Sequence, residues 1–211
     1  MKILFLTDSL SLPRADTSEK VSLEETYFHQ LKKHFPEHEF VLVAIGGATI
    51  FDLYKQLFYY KALEADLVFL QCGIVDCAPR AFTKNETKFL TKTKLSKVVK
   101  PLQHFLRKYR GHRYTKPAKF HRYLTSFCNE LKSSTIYSIG ILPGSTAYDK
   151  LVPGISKSIE RYNKMLAAQT KFIDNASFPA DGIMADHHHL NAKGHTVIFD
   201  KIKEIITKLS A

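Results

Sequence analysis

The sequence predicts an α/β fold in which a mainly parallel, five-stranded sheet is covered by helices on both faces. Three observations carry this expectation: short apolar runs that do not alternate, stretches of helical spacing between them, and a globular composition. The chain has 211 residues, 45% apolar and 24% charged, which suits one domain spanning 1–211.

Residues 3–6, 40–45 and 67–70 are continuous apolar runs of strand length and 135–141 is a mainly apolar one, as expected for strands buried on both faces. Residues 171–174 form a weaker fifth run. After the first strand, Val21, Phe28, Leu31 and Phe35 fall on one helix face, with Ser22 and Glu25 offering a capping box. Ile155, Ile159, Tyr162 and Leu166 form a second apolar face, and Ile198, Ile202, Ile205 and Leu209 a third. Strands alternating with helices imply a parallel sheet with both faces covered.

Residues from about 80 to 133 break the rhythm, because the stretch is too long for one crossover. They read as a helical insert of two helices split near Gly111, punctuated by Pro79, Pro101 and Pro117. The formal charge of +11 is concentrated there: residues 80–123 hold 14 Lys or Arg against the single acid Glu86. The remainder of the chain is slightly acidic. Such a surface attracts an anionic ligand or a membrane surface, and its interleaved aromatics, Phe105, Tyr109, Tyr114, Phe120 and Tyr123, either join that surface or turn to the core. No nucleic-acid-binding motif accompanies the charge, which sets nucleic acid aside as a partner. The apolar start at residues 3–6 is too short for a signal peptide or membrane span. Cys72, Cys77 and Cys128 are odd in number and lack CxxC spacing. Together these point to a cytoplasmic protein with reduced thiols.

The chemistry sits at the two ends of the chain. Thr7-Asp8-Ser9-Leu10 follows the first strand, and Asp186-His187-His188-His189-Leu190-Asn191 precedes the last helix. In open α/β sheets, functional groups collect at the carboxyl ends of strands, where Ser9 lies. A serine hydroxyl becomes a nucleophile when a histidine takes its proton and a carboxylate orients that histidine. Asp186 and His189, three residues apart in a turn, can supply both partners. Ordinary turn and cap roles for Asp8, Ser9 and Asp186 are the competing explanation. His187, His188, His189 and His195 with Asp186 offer donors suited to a metal, but adjacent residues in a turn point apart and no second ligand cluster is evident. The expectation is therefore no metal and no organic cofactor, with His195 a packing or hydrogen-bonding residue.

The order of these blocks resembles the SGNH or GDSL-like serine hydrolase family. Thr7-Asp8-Ser9-Leu10 is similar to its first block, Ile45-Gly46-Gly47-Ala48-Thr49 to its second, Gly73-Ile74-Val75-Asp76 to its third and Asp186-x-x-His189 to its fifth. The resemblance implies a flavodoxin-like three-layer α/β/α sandwich. It implies Ser9, Asp186 and His189 as catalytic residues, with the backbone N–H groups of Ser9 and Gly47, or the adjacent Gly46, binding the oxyanion. Asp8, Gly46, Gln71, Asp76 and Arg80 are the candidate substrate-binding residues. Two positions depart from the pattern. Thr7 stands for the usual glycine, and Val75 for the usual asparagine, which removes one side-chain donor from the oxyanion hole. Gln71 or Arg80 would be the replacement donor. The segment from Gly73 to Arg80 also resembles members found with polysaccharide-biosynthesis enzymes. The implied activity is a serine esterase, acting through an acyl-enzyme on an O-acylated, for example O-acetylated, carbohydrate or surface-polysaccharide precursor. A sugar O-acyltransferase with the same triad is the first alternative. The second is a catalytically weak binding protein on a hydrolase fold, which Val75 favours.

Overall fold

The structure is a computed structural model, and it describes residues 1–15 and 19–210. In chain order, strand β1 (Lys2–Thr7) is followed by α1 (Tyr27–His34), β2 (Glu39–Ala44), α2 (Ile50–Tyr54), α3 (Leu57–Lys61) and β3 (Leu67–Gln71). Next come α4 (Ile74–Cys77), α5 (Lys84–Lys92), α6 (Ser96–Val99), α7 (Gln103–Arg110) and α8 (Pro117–Glu130). The chain finishes with β4 (Thr135–Ile139), α9 (Thr146–Leu151), α10 (Ile155–Ala167), β5 (Lys171–Ile173) and α11 (Ala192–Ser210). The sheet order is β2-β1-β3-β4-β5 and every pairing is parallel. This order reverses direction between β1 and β3, and the crevice at that switch point is where such sheets place their ligands.

Side chains on successive strand residues point to opposite faces, and β1 shows the consequence. Ile3 and Phe5 join one core with Leu67, Phe69, Phe28 and Leu31 of α1, and Ile198, Ile202 and Ile206 of α11. Leu4 and Leu6 join the other core with Val68, Leu70, Leu53 of α2, Phe120, Leu124 and Phe127 of α8, and Ile159 and Tyr162 of α10. The result is the expected three-layer arrangement. Phe5 and Phe69 stack at 4.9 Å across β1 and β3 in the first core. Truncating either to alanine would cost about 3–5 kcal/mol through lost burial and the cavity left behind.

Several elements differ from the expectation for local physical reasons. Helix α1 starts at Tyr27 because Val21 instead exchanges two backbone hydrogen bonds with Arg14, each 2.9 Å, in an antiparallel bridge. Glu25 does accept the Ser22 N–H at 2.7 Å, but this closes a turn ahead of the helix. In α11 the buried row is Ile198, Ile202 and Ile206, an i, i+4, i+8 line, while Leu209 is exposed. The weak fifth strand ends at Ile173. Helices α2, α3 and α9 are short and were not expected.

The insert divides into two parts. Gly111, with φ +49°, ends α7 as anticipated. Beyond it α8 is a core helix, with Phe120, Leu124 and Phe127 fully buried. It is the crossover between β3 and β4 rather than an appendage, so the excursion from the layered fold is confined to α5, α6 and α7. Phe105 and Tyr109 lie exposed on α7 with rings 4.3 Å apart, while Tyr123 packs on Phe51 and Tyr54. Among the described residues, no helix is long and apolar enough to cross a membrane.

Candidate active site

Ser9 opens a 3-10 turn, Ser9–Ser11, directly after β1. The turn is fixed from below. Asp8 donates its backbone N–H to the Gln71 carbonyl at 3.0 Å, and its Oδ1 accepts the Leu10 N–H at 3.0 Å. Asp8 thus caps the turn, and its side chain is fully buried. Gln71 is also buried, and its Oε1 accepts the Tyr27 hydroxyl at 2.6 Å.

The second half of the site comes from the loop before α11. Met184 donates its N–H to the His189 carbonyl at 2.8 Å, and Ile183 bridges Leu190, so residues 184–189 form a closed turn. His187 takes φ +67° within it. Gly194 seats the following helix, because a Cβ there would lie 2.0 Å from the Gly182 carbonyl oxygen. Inside the turn, the Asp186 Oδ1 accepts the backbone N–H groups of His188 at 3.1 Å and His189 at 3.0 Å. Its Oδ2 lies 2.6 Å from His189 Nδ1. An ionised carboxylate only accepts, so Nδ1 carries the ring proton and Nε2 is left as an acceptor. Ser9 Oγ stands 3.0 Å from that Nε2, across 180 residues of sequence. Partial burial pushes the Asp186 carboxyl up, but the imidazole and backbone hydrogen bonds outweigh it and hold the pKa well below the usual carboxylate range. The group is charged at neutral pH.

This hydroxyl–imidazole–carboxylate relay opens into a cavity of about 530 Å³. Gly47, Val75, Arg80, Arg107, Tyr148 and His188 line it together with the three relay residues. Gly47 follows β2 and has φ +70°, a conformation open to glycine at no steric cost. Val75 follows β3 on α4 and presents an aliphatic side chain to the cavity, where the family pattern has an amide.

The remaining sequence candidates separate clearly. Gly46 is exposed but not among the residues lining the cavity. Asp8, Gln71 and Asp76, expected to touch substrate, are instead enclosed beneath the site. Asp76 spends both carboxylate oxygens on the Ile50 N–H, at 3.2 and 3.1 Å. Gln71 accepts the Tyr27 hydroxyl through Oε1, while its Nε2 is buried without a hydrogen-bond partner, and the residue is not among those lining the cavity. Arg80 does line the cavity. Three further residues line the cavity: His188, read from sequence only as a possible metal donor, Arg107 and Tyr148. Arg107 had a signal in the basic cluster, whereas Tyr148 had none, since only tertiary packing brings α9 to this edge.

Asp186, His188 and His189 offer three donor atoms within 4.8 Å of one another. Both His189 ring nitrogens are already engaged, by Asp186 and Ser9, so a metal would have to displace one member of the relay. His195 lies away from this cluster. Its Nδ1 accepts the Tyr27 N–H at 3.2 Å, and burial lowers its pKa to about 4, so it is a neutral structural residue.

No protein-family model matches the sequence, and no curated protein matches it. Solved structures do. A lipase/acylhydrolase from Enterococcus faecalis superposes with a TM-score of 0.68 at 18% identity, over 97% of this chain and 94% of the other. An acetyl xylan esterase gives 0.64 at 15% identity over 98% and 100%. A lipolytic protein of the G-D-S-L family from Veillonella parvula gives 0.62 at 15% identity, over 98% of both chains. The chain therefore has the fold of the GDSL lipases and acylhydrolases along essentially its whole length.

Proposed function

We propose that the protein is a serine esterase working through an acyl-enzyme. The observation that carries this reading is the relay itself: Ser9 Oγ to His189 Nε2 at 3.0 Å and His189 Nδ1 to Asp186 at 2.6 Å, opening on a cavity. In this scheme His189 Nε2 takes the hydroxyl proton as Ser9 attacks the ester carbonyl, and later returns it to the departing alcohol. Asp186 keeps the imidazole in the right tautomer and stabilises the imidazolium that forms. The backbone N–H groups of Ser9 and Gly47 are the donors for the oxyanion. Water then hydrolyses the acyl-Ser9 ester by the same proton route in reverse.

The substrate we infer is an O-acylated, for example O-acetylated, carbohydrate. Its support is the resemblance of residues 73–80 to polysaccharide-associated members and the fold shared with an acetyl xylan esterase. Val75 favours a second reading, a weak catalyst or binding protein, because loss of one oxyanion donor costs about a hundredfold to a thousandfold in rate. Hydrolysis of p-nitrophenyl acetate separates the two. Wild type should turn over and label with a fluorophosphonate at Ser9, and Ser9→Ala should do neither. Labelling that persists unchanged in Ser9→Ala removes the assignment.

A further inference from the structure

The basic insert reaches into the cavity of the relay: Arg80 and Arg107 line it together with Ser9 and His189. The single carboxylate among the described residues lining that cavity is Asp186, and its oxygens are taken by His189 and by the backbone of His188. Neither arginine forms an ion pair among the described residues. Two guanidinium groups therefore face a half-enclosed space with no ion-pair partner of their own among the described residues, and a partly desolvated charge is costly until a ligand compensates it.

Each group is also held in place. Arg80 exchanges backbone hydrogen bonds with His112, at 2.7 and 3.1 Å, and its guanidinium stacks 4.0 Å from the Tyr114 ring centre. Stacking occupies the face of the group and leaves its N–H edge for a ligand. Its Nε is buried without a hydrogen-bond partner. Arg107 projects from α7 and is anchored by one arm, with Nη1 donating to the Leu151 carbonyl at 3.2 Å. Two pre-positioned forks in one cavity match the oxygens of a phosphate, sulfate or carboxylate.

We propose that Arg80 and Arg107 form a subsite for an anionic group carried by the substrate, so that the enzyme prefers acidic esters to neutral ones. The proposal rests on the esterase reading, and its test keeps the two apart. kcat/KM is measured for phenyl acetate, for 4-sulfophenyl acetate with the charge on the alcohol side, and for phenyl hydrogen succinate with the charge on the acyl side. Wild type should favour at least one charged ester over phenyl acetate by about tenfold or more, and Arg80→Gln with Arg107→Gln should erase that ratio, chiefly through KM. Arg80→Lys with Arg107→Lys should retain part of it. A wild-type ratio near one for both charged esters overturns the proposal. So does an equal loss on all three esters, which would place Arg80 at the reacting carbonyl instead.

Inorganic pyrophosphate binding to Ser9→Ala, followed by calorimetry, is independent of turnover. It should weaken by about tenfold or more when both arginines become glutamine, and binding that is absent or unchanged overturns the proposal. If wild type cleaves no ester while pyrophosphate still binds through the arginines, the esterase reading fails and the anion subsite stands.

Discussion

Asp76 accepts the Ile50 backbone N–H in both carboxylate oxygens, at 3.2 and 3.1 Å, and so ties the loop after β3 to the loop after β2. The first carries Val75 and the second carries Gly47, both facing the cavity. Gly47, whose N–H is a proposed oxyanion donor, thus lies three residues before a backbone group anchored by a carboxylate enclosed beneath the cavity.

Removing that tie should cost more in activity than in folding. Asp76→Ala leaves the Ile50 N–H buried without its acceptor, a loss of about 1.5–3 kcal/mol for a charge-assisted hydrogen bond. The melting temperature should fall, and kcat should fall further than the stability loss explains, because the Gly47 loop is released. Asp76→Asn, which keeps an acceptor and the volume, should recover most of both. Equal kcat in Asp76→Ala and wild type would show that the Gly47 loop is positioned independently.

The three consecutive histidines should behave differently. His189→Gln removes the proton acceptor of Ser9 and should lower kcat by about a thousandfold or more, in line with triad knockouts. His188 sits beside it, with its ring 4.1 Å away and its Nδ1 against the Asp186 carbonyl at 2.9 Å. The ring of His187 stacks on Tyr148 at 5.7 Å. Neither reaches Ser9, so His187→Gln and His188→Gln should lose within about tenfold. Comparable losses at all three positions, altered by added zinc, would point to a metal at this turn.

Val75 offers a test by gain. An asparagine at this position in the cavity wall would add a side-chain N–H donor towards the developing oxyanion. Since one such donor is worth about a hundredfold to a thousandfold elsewhere, Val75→Asn should raise kcat by at least about tenfold on p-nitrophenyl acetate. An unchanged kcat would indicate that another donor already fills the role, and Arg80, which lines the same cavity, is then the residue to substitute next.

The features legible in the sequence are those set by local pattern. The buried strands are apolar runs because parallel strands have no solvent face, and Ser9, Asp186 and His189 stand at strand-end or turn positions whose side chains can converge. The misassigned residues failed for a different reason: residue type does not reveal which way a side chain points. Val75 and Asp76 are neighbours on α4, yet about 100° of helical rotation sends one to the cavity and the other into the core. Asp8 and Ser9 divide in the same way. The start of α1 was obscured because Val21, apolar and in phase with the helix, is claimed by a bridge to Arg14 that no periodicity encodes. Tyr148 and Arg107 reach the site only through the packing of α9 and α7.

The same buried layer should give the protein a distinctive dependence on pH. Asp8 is fully enclosed, and burial, reinforced by the nearby Asp76 charge, raises its pKa to about 7 despite the Leu10 hydrogen bond. In the unfolded chain the group titrates near 3.8. Between these values the folded state binds the proton that the unfolded state has lost, so stability falls as pH rises from about 4 to about 7 and then levels off. A shift of this size corresponds to a penalty on the order of 4 kcal/mol above pH 7. His195 acts in the opposite sense: buried and neutral, with a folded pKa of about 4, it contributes stability above pH 6.5 that is lost as pH falls from there. The two slopes oppose each other between pH 4 and 6.5, leaving the Asp8 slope to dominate just above that window. Asp8→Asn keeps the acceptor for the Leu10 N–H and cannot ionise. Chemical denaturation followed from pH 5 to 8 should therefore show wild type nearly level up to about pH 6.5, losing stability from there to just above pH 7 and then levelling, while Asp8→Asn gains stability up to about pH 6.5 and then holds level. Parallel curves for the two proteins would show that Asp8 stays ionised in the fold throughout this range.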